Sequence, residues 1–131
     1  MKLRAFCVVA ALAAWFAPVS VRAQTENVAR LENPCASGQF LACANLAVLY
    51  KHGRNVMRDY PKALTLFLRA CEGGVNFACG NVGEMTYLGL GVPANDTDGA
   101  PILRGACRRG DAWSCETARR LGVKMPKKRP A

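Results

Sequence analysis

At 131 residues, with 51% hydrophobic and 21% charged side chains, the chain has the length of one domain and is too apolar to be disordered throughout, which excludes the large two-domain dehydrogenases and kinases. The formal net charge is +9, with one His and seven Cys. A single His cannot build a His-rich catalytic metal centre, and so many Cys in a short chain imply either a disulfide framework or a metal cluster.

Met1 to Arg4 carries two positive charges, Ala5 to Val19 is almost wholly apolar, and Val21-Arg22-Ala23 resembles a cleavage site. This is the layout of a secretory signal peptide over 1–23, and its apolar run is shorter than the roughly 20 residues that cross a bilayer. The expected mature chain, after loss of three of the 18 Lys and Arg and none of the nine Asp and Glu, has 108 residues and a net charge of +6. It keeps no transmembrane anchor. Cys7 goes with the leader, and the six Cys that remain are an even number suited to a secreted or periplasmic, oxidising compartment. No Cys-x-x-Cys occurs, so neither a redox pair nor a zinc knuckle is offered, and no metal or other cofactor is expected.

The six fall on a repeat. Cys35 and Cys43, Cys71 and Cys79, Cys107 and Cys115 are each eight apart, and successive pairs step by 36. Gly38, Gly74 and Gly110 keep the same step, as do Ala42 and Ala78, Asn45 and Asn81, Gly53 and Gly89, Val56 and Val92, and Ala70 and Ala106. A period of this length marks a solenoid.

Each unit reads as two helices. Asn27 to Glu32 is a short leading helix that covers the open end. Tyr60 to Ala70 carries Ala63, Leu66, Phe67 and Ala70 at helical spacing, with Asp59 as its cap and Pro61 in its first turn. Gly73 and Gly74 interrupt the chain. Asn76 to Leu88 follows, with Cys79, Val82, Gly83 and Thr86 on one face, ended by Gly89 and Gly91. Pro93 to Asp98 is a loop, a less regular helix runs to about Cys107, and Glu116 to Leu121 finishes the last helix. Two Cys eight apart would stand about 12 Å apart along one helix, but they can meet across a helical hairpin. The expected pairs are therefore Cys35–Cys43, Cys71–Cys79 and Cys107–Cys115, each closing a loop worth about 2–3 kcal/mol.

The stretch Asp59, Tyr60, Pro61, Lys62 and Ala63, then Phe67, Arg69, Ala70 and Cys71, then Ala78, Cys79, Val82 and Gly83, then Gly89, Gly91 and Val92, resembles the Sel1-like repeats, relatives of the tetratricopeptide class. More narrowly it resembles their cysteine-rich secreted bacterial members. The earlier unit matches at Ala42, Cys43, Leu46, Tyr50, Gly53 and Val56, with Ala47 for the usual Gly and Asn55 for the second loop Gly. The last matches at Ala106, Cys107 and Cys115, then departs with Arg119 for the expected Gly; Thr86 replaces a usual Tyr and Gly99 breaks the Lys-Ala pair. The resemblance covers 35 to 122. It implies an all-α fold, an α/α superhelical solenoid with one disulfide per helical hairpin, made of two full units and a partial one whose second helix is missing. The domain spans 24–122, and 123–131 is a basic tail expected to be disordered.

The same resemblance implies binding of a protein or peptide partner on an inner helical face. Its alternative implication is a β-lactam-binding protein or weak β-lactamase. Candidates for the binding face are Asn45, Tyr50, His52 and Asn81. Against this, the two Asn could serve only turn backbone groups, and His52 could be a solvent-facing helix-end residue favoured by the dipole. Catalytic residues do not emerge. Ser37 and Ser114 lack a Lys three positions on, His52 stands alone, and nothing in their spacing singles out Glu72, Glu84 or Glu116. Arg104, Arg108, Arg109, Arg119 and Arg120, then Lys124, Lys127, Lys128 and Arg129, make the C-terminal part basic. With scattered aromatics and no known module this favours attraction to anionic envelope surfaces over nucleic acid. Thiol titration of the unreduced mature protein is expected to find no more than a trace of free thiol, and all six after reduction in denaturant.

Overall fold

The computed structural model describes residues 19–125, and their side chains from residue 27. The first 18 residues of the expected signal segment, and residues 126–131 of the expected tail, lie outside the described residues. The described chain is six helices: α1 (Val19–Ala36), α2 (Phe40–His52), α3 (Tyr60–Glu72), α4 (Asn76–Leu88), α5 (Asp96–Arg108) and α6 (Ala112–Arg120). Cleavage after Ala23 would remove only the first residues of α1. Among the described residues, no helix is long and apolar enough to cross a membrane.

The three expected disulfides are present, Cys35–Cys43, Cys71–Cys79 and Cys107–Cys115, each with Cα atoms 4.6 Å apart. Each joins the last turn of one helix to the first turn of the next, across the same turn. The N–H of Gly38, Gly74 and Gly110 donates to the carbonyl of Cys35, Cys71 and Cys107 at 3.0, 2.9 and 3.0 Å. All three glycines have positive φ, 87°, 89° and 96°, which an L side chain would strain. The repeated Gly is therefore the residue that lets the chain reverse within reach of the disulfide.

Two expectations are corrected in extent. The leading helix is not a short segment over 27–32. It runs on to Ala36 and carries Cys35, so α1 and α2 form a full hairpin. The last helix starts at Ala112, because the Asp111 side chain accepts from Ser114 N at 2.8 Å and caps it there, and it ends at Arg120. Counted by disulfide-closed pairs, there are three complete hairpins. The Pro93 to Asp98 loop is also shorter, since Asn95 accepts from Asp98 N at 3.0 Å and starts α5 at Asp96. Asp59, one step earlier, caps α3 in the same way through Lys62 N at 2.9 Å.

Each helix packs on the next in sequence, and α4 also meets α6. The core runs along this stack. Phe67, Ala63 and Ala70 of α3 are wholly buried with Cys43, Ala47, Ala78 and Met85, and Leu103, Ala118 and Val123 form a second cluster around Tyr87 and Leu121. Folded packing thus reaches Val123, one residue into the expected tail. The α4 helix is buried on every side from Ala78 to Met85, not only on one face, because α3, α5 and α6 enclose it.

Small residues set the spacing. A Cβ on Gly83 would lie 2.6 Å from Leu103 N and 3.0 Å from Gly99 O, and one on Gly99 would lie 2.5 Å from Tyr87 N. Gly99 departs from the repeat because it faces Gly83 where α4 and α5 touch backbone to backbone. Arg119 holds the position of Gly83 one step on, and there no further helix packs among the described residues, so a long exposed side chain is tolerated. Gly83→Ala is expected to destabilise the protein by about 1–3 kcal/mol in urea unfolding with disulfides intact. Gly105→Ala, whose Cβ would meet only the tip of the Arg109 side chain at 3.3 Å, is expected to be neutral or to stabilise by up to about 1 kcal/mol.

Candidate functional site

The second helix of each hairpin, α2, α4 and α6, comes together on one side of the stack. There α4 meets α6 where Gly80 leaves room for Ser114, since a Cβ on Gly80 would lie 1.8 Å from Ser114 Oγ. A cavity of about 340 Å³ opens on this side, lined by Val48, Lys51 and His52 of α2, Phe77, Asn81 and Glu84 of α4, and Trp113 and Arg120 of α6, with Tyr60 and Leu90 at its edge. Its size falls in the range of small-ligand and side-chain pockets.

The repeat explains how these residues meet. Val48, Glu84 and Arg120 are 36 apart, as are Leu41, Phe77 and Trp113, and Asn45, Asn81 and Thr117. Within a helix these positions recur at i, i+4 and i+7, so each second helix presents one stripe to the same side. Apart from Asn45 and Asn81, and unlike the repeated glycines and cysteines, the side chains on this stripe change from unit to unit.

A buried ion pair forms the floor. Lys51 Nζ donates to Glu84 Oε2 at 2.5 Å and to Asn81 Oδ1 at 2.6 Å, and the side chains of Lys51 and Glu84 are 8% and 6% exposed. Arg120 reaches the other oxygen, Glu84 Oε1, at 2.6 Å, while its own side chain remains 62% exposed. Asn81 Nδ2 donates back to Phe77 O at 3.0 Å. The ammonium of Lys51 also lies 5.2 Å from the Trp113 ring centroid and 6.0 Å from that of Phe67, and Phe77 packs edge-on to both rings. Two cations against one carboxylate leave the floor with a net positive charge. Lys51 and His52 close the last turn of α2, where the helix dipole favours a cation.

His52 is exposed at the cavity edge. Partial burial holds its imidazole below the ordinary value, the nearby Lys51 and Arg54 cations add to the effect, and Glu84 opposes it. Of the four residues singled out by sequence, the cavity brings His52 and Asn81 together. Asn45 lies on the same stripe of α2, exposed and outside the cavity. Tyr50 is on another side of α2: Lys62 Nζ donates to its hydroxyl at 2.6 Å and stands 4.1 Å from its ring centroid. That hydrogen bond is the main cause of the raised Lys62 pKa. Asn81 does not serve a turn. Its oxygen is spent on Lys51 and its amide on its own helix. Lys51, Phe77, Glu84, Trp113 and Arg120 escape a reading that looks for identical residues at the repeat step, because they sit where the units differ.

Ser37 and Ser114 both lie elsewhere. Ser37 Oγ bonds Asn33 O at 2.9 Å, and Ser114 is fully buried with its hydroxyl on Asp111. Among the described residues no group of His, Cys, Asp and Glu could hold a metal ion.

The fold defines a class, an α/α solenoid of disulfide-closed helical hairpins, and its second helices together line the cavity. The sequence matches the Sel1 repeat family over 41–75 and 76–100, which are α2 with α3 and α4 with the start of α5. The chain carries Sel1 repeats over these residues. Among solved structures it is similar to Helicobacter pylori cysteine rich protein B, with 26% identity and a TM-score of 0.64 over 72% of this chain and 71% of that one. It is similar to a Sel1 repeat protein from Oxalobacter formigenes at 26% identity and TM-score 0.64, covering 70% of this chain and 26% of that one. A protective antigen of uropathogenic Escherichia coli strains displaying an SLR fold superposes with TM-score 0.66 at 20% identity, over 82% of this chain and 27% of that one, which shows the fold. The chain thus spans about a quarter of the last two. A comparison of the sequence with curated proteins found no match.

Two outcomes follow from the floor. Glu84→Leu leaves the buried Lys51 ammonium without its partner and is expected to cost about 3–5 kcal/mol, and adding Lys51→Met is expected to recover most of the loss in thermal unfolding. Because the folded pKa of His52 is depressed, the unfolded chain binds more protons below about pH 6.5. The His52 contribution to stability is therefore constant above that pH and is lost as pH falls toward the folded pKa. His52→Gln should remove that part of the decline in a series of melting curves from pH 7.5 to 5.

Proposed function

We propose that the chain is an exported binding module of the cell envelope, and that it receives an extended peptide or a loop of a partner protein on the concave side formed by α2, α4 and α6. The observation that carries this reading is the open cavity over a buried Lys51–Glu84 pair, walled by Phe77 and Trp113. Repeat stacks use such concave surfaces for recognition, and aromatic walls with a few fixed polar groups are the usual make-up of a binding pocket. Export is supported by the leader-like first residues and by three disulfides, which persist in oxidising compartments. The basic surface would add long-range attraction to anionic envelope components. Hydrolysis of β-lactams finds no support in the cavity, whose lining includes neither serine nor cysteine.

A photo-cross-linking residue in place of Asn45, on the exposed end of the concave stripe, should capture a discrete partner in the native envelope. The same residue in place of Leu68, exposed on α3, should not. Equal capture from both positions would count against the concave side. The mature chain recovered from the same cells should begin at Gln24.

A further inference from the structure

We propose that the cavity reads an acidic side chain of the bound peptide, an Asp or Glu within the segment rather than its C-terminus, with Arg120 and Lys51 as the two groups that hold the carboxylate. The inference rests on the binding-module reading and adds the chemistry of the ligand. An ammonium has three N–H donors. Lys51 spends one on Glu84 and one on Asn81, is 92% buried, and lines the cavity, so its remaining donor is available only there. A guanidinium has five donors. Arg120 spends one of its nitrogens on Glu84 Oε1 and keeps the rest of its fork open on an exposed side chain. A carboxylate is the group that accepts from both a planar fork and a point cation, and it would restore neutrality over a floor that carries two cations and one anion.

The walls say what flanks the acid. Val48, Leu90, Phe77 and Trp113 offer apolar surface beside the charged floor, which suits an apolar residue next to the acidic one. The stripe of α2 continues outside the cavity with exposed Asn45 and Leu41. Contact surface on that side lets a chain pass over the pocket, which favours an internal side chain over a terminal carboxylate.

The test uses mature, disulfide-intact protein and two pools of acetylated, amidated hexapeptides randomised at every position but the fourth, which is Glu in one pool and Gln in the other. Fluorescence anisotropy is expected to show the Glu pool binding about tenfold more tightly, the difference of a charge-assisted hydrogen bond. Arg120→Gln should bring the ratio of the two pools to about one without unfolding the protein, since the side chain is mostly exposed. Arg108→Gln, on the exposed end of α5, should leave the ratio unchanged. Equal binding of both pools by the wild-type protein, with cross-linking still confined to Asn45, would overturn the carboxylate preference and keep the binding module. An unchanged ratio in Arg120→Gln would overturn the assignment of Arg120. Failure of both pools to bind would overturn this inference, and the module reading falls with it only if the residue at Asn45 also captures no partner.

Discussion

Each hairpin depends on a turn of three residues that must reverse a helix while bringing two cysteines within bonding distance. Gly38, Gly74 and Gly110 supply the positive φ for that reversal, and the disulfides fix the result with Cα atoms 4.6 Å apart. A domain of this size has little core to spare, and each closed loop removes about 2–3 kcal/mol of unfolded-state freedom. All three hairpins solve the turn in the same way, with the same glycine conformation, the same backbone hydrogen bond and the same disulfide spacing. The regular stack of helices follows from that shared geometry.

The stack then decides where chemistry can occur. Gly83 against Gly99 lets α4 and α5 touch by backbone, and Gly80 admits Ser114 of α6. These close approaches draw the second helices together and leave a hollow on their side. Lys51 and Glu84 sit at the bottom of it, desolvated and paired. A buried ion pair is a poor source of stability compared with apolar packing, but it is costly to break and so holds the three helices in one arrangement. Arg120, the third member, is bound to the same carboxylate yet open to solvent.

Much of this was legible in the sequence. The step of 36 and the gap of eight gave the solenoid and the disulfide pairing, and Asp59, Phe67 and Ala63 marked α3 correctly. Helix ends were less legible. Asn95 and Asp111 cap through single side-chain bonds that a loop residue can make or forgo, so α5 and α6 begin at points composition alone does not fix. The site was legible only in part. Asn81 stood out because it repeats, and the structure buries it while leaving its counterpart Asn45 exposed, since α4 is enclosed by neighbours on both sides and α2 is not enclosed at that point. Glu84 and Arg120 were visible only as unremarkable charges. Their meaning lies in a register shared with Val48, where a repeat protein keeps its backbone constant and varies what it presents.

The proposed binding surface is the side of the stack formed by the second helices. Amide hydrogen exchange on the mature protein, with and without a saturating peptide pool, tests it most directly. Slowed exchange is expected in α2, α4 and α6, centred on residues 48–52, 80–84 and 116–120, with α3 and α5 unchanged. Protection confined to α3 and α5, with the second helices unaffected, would contradict it.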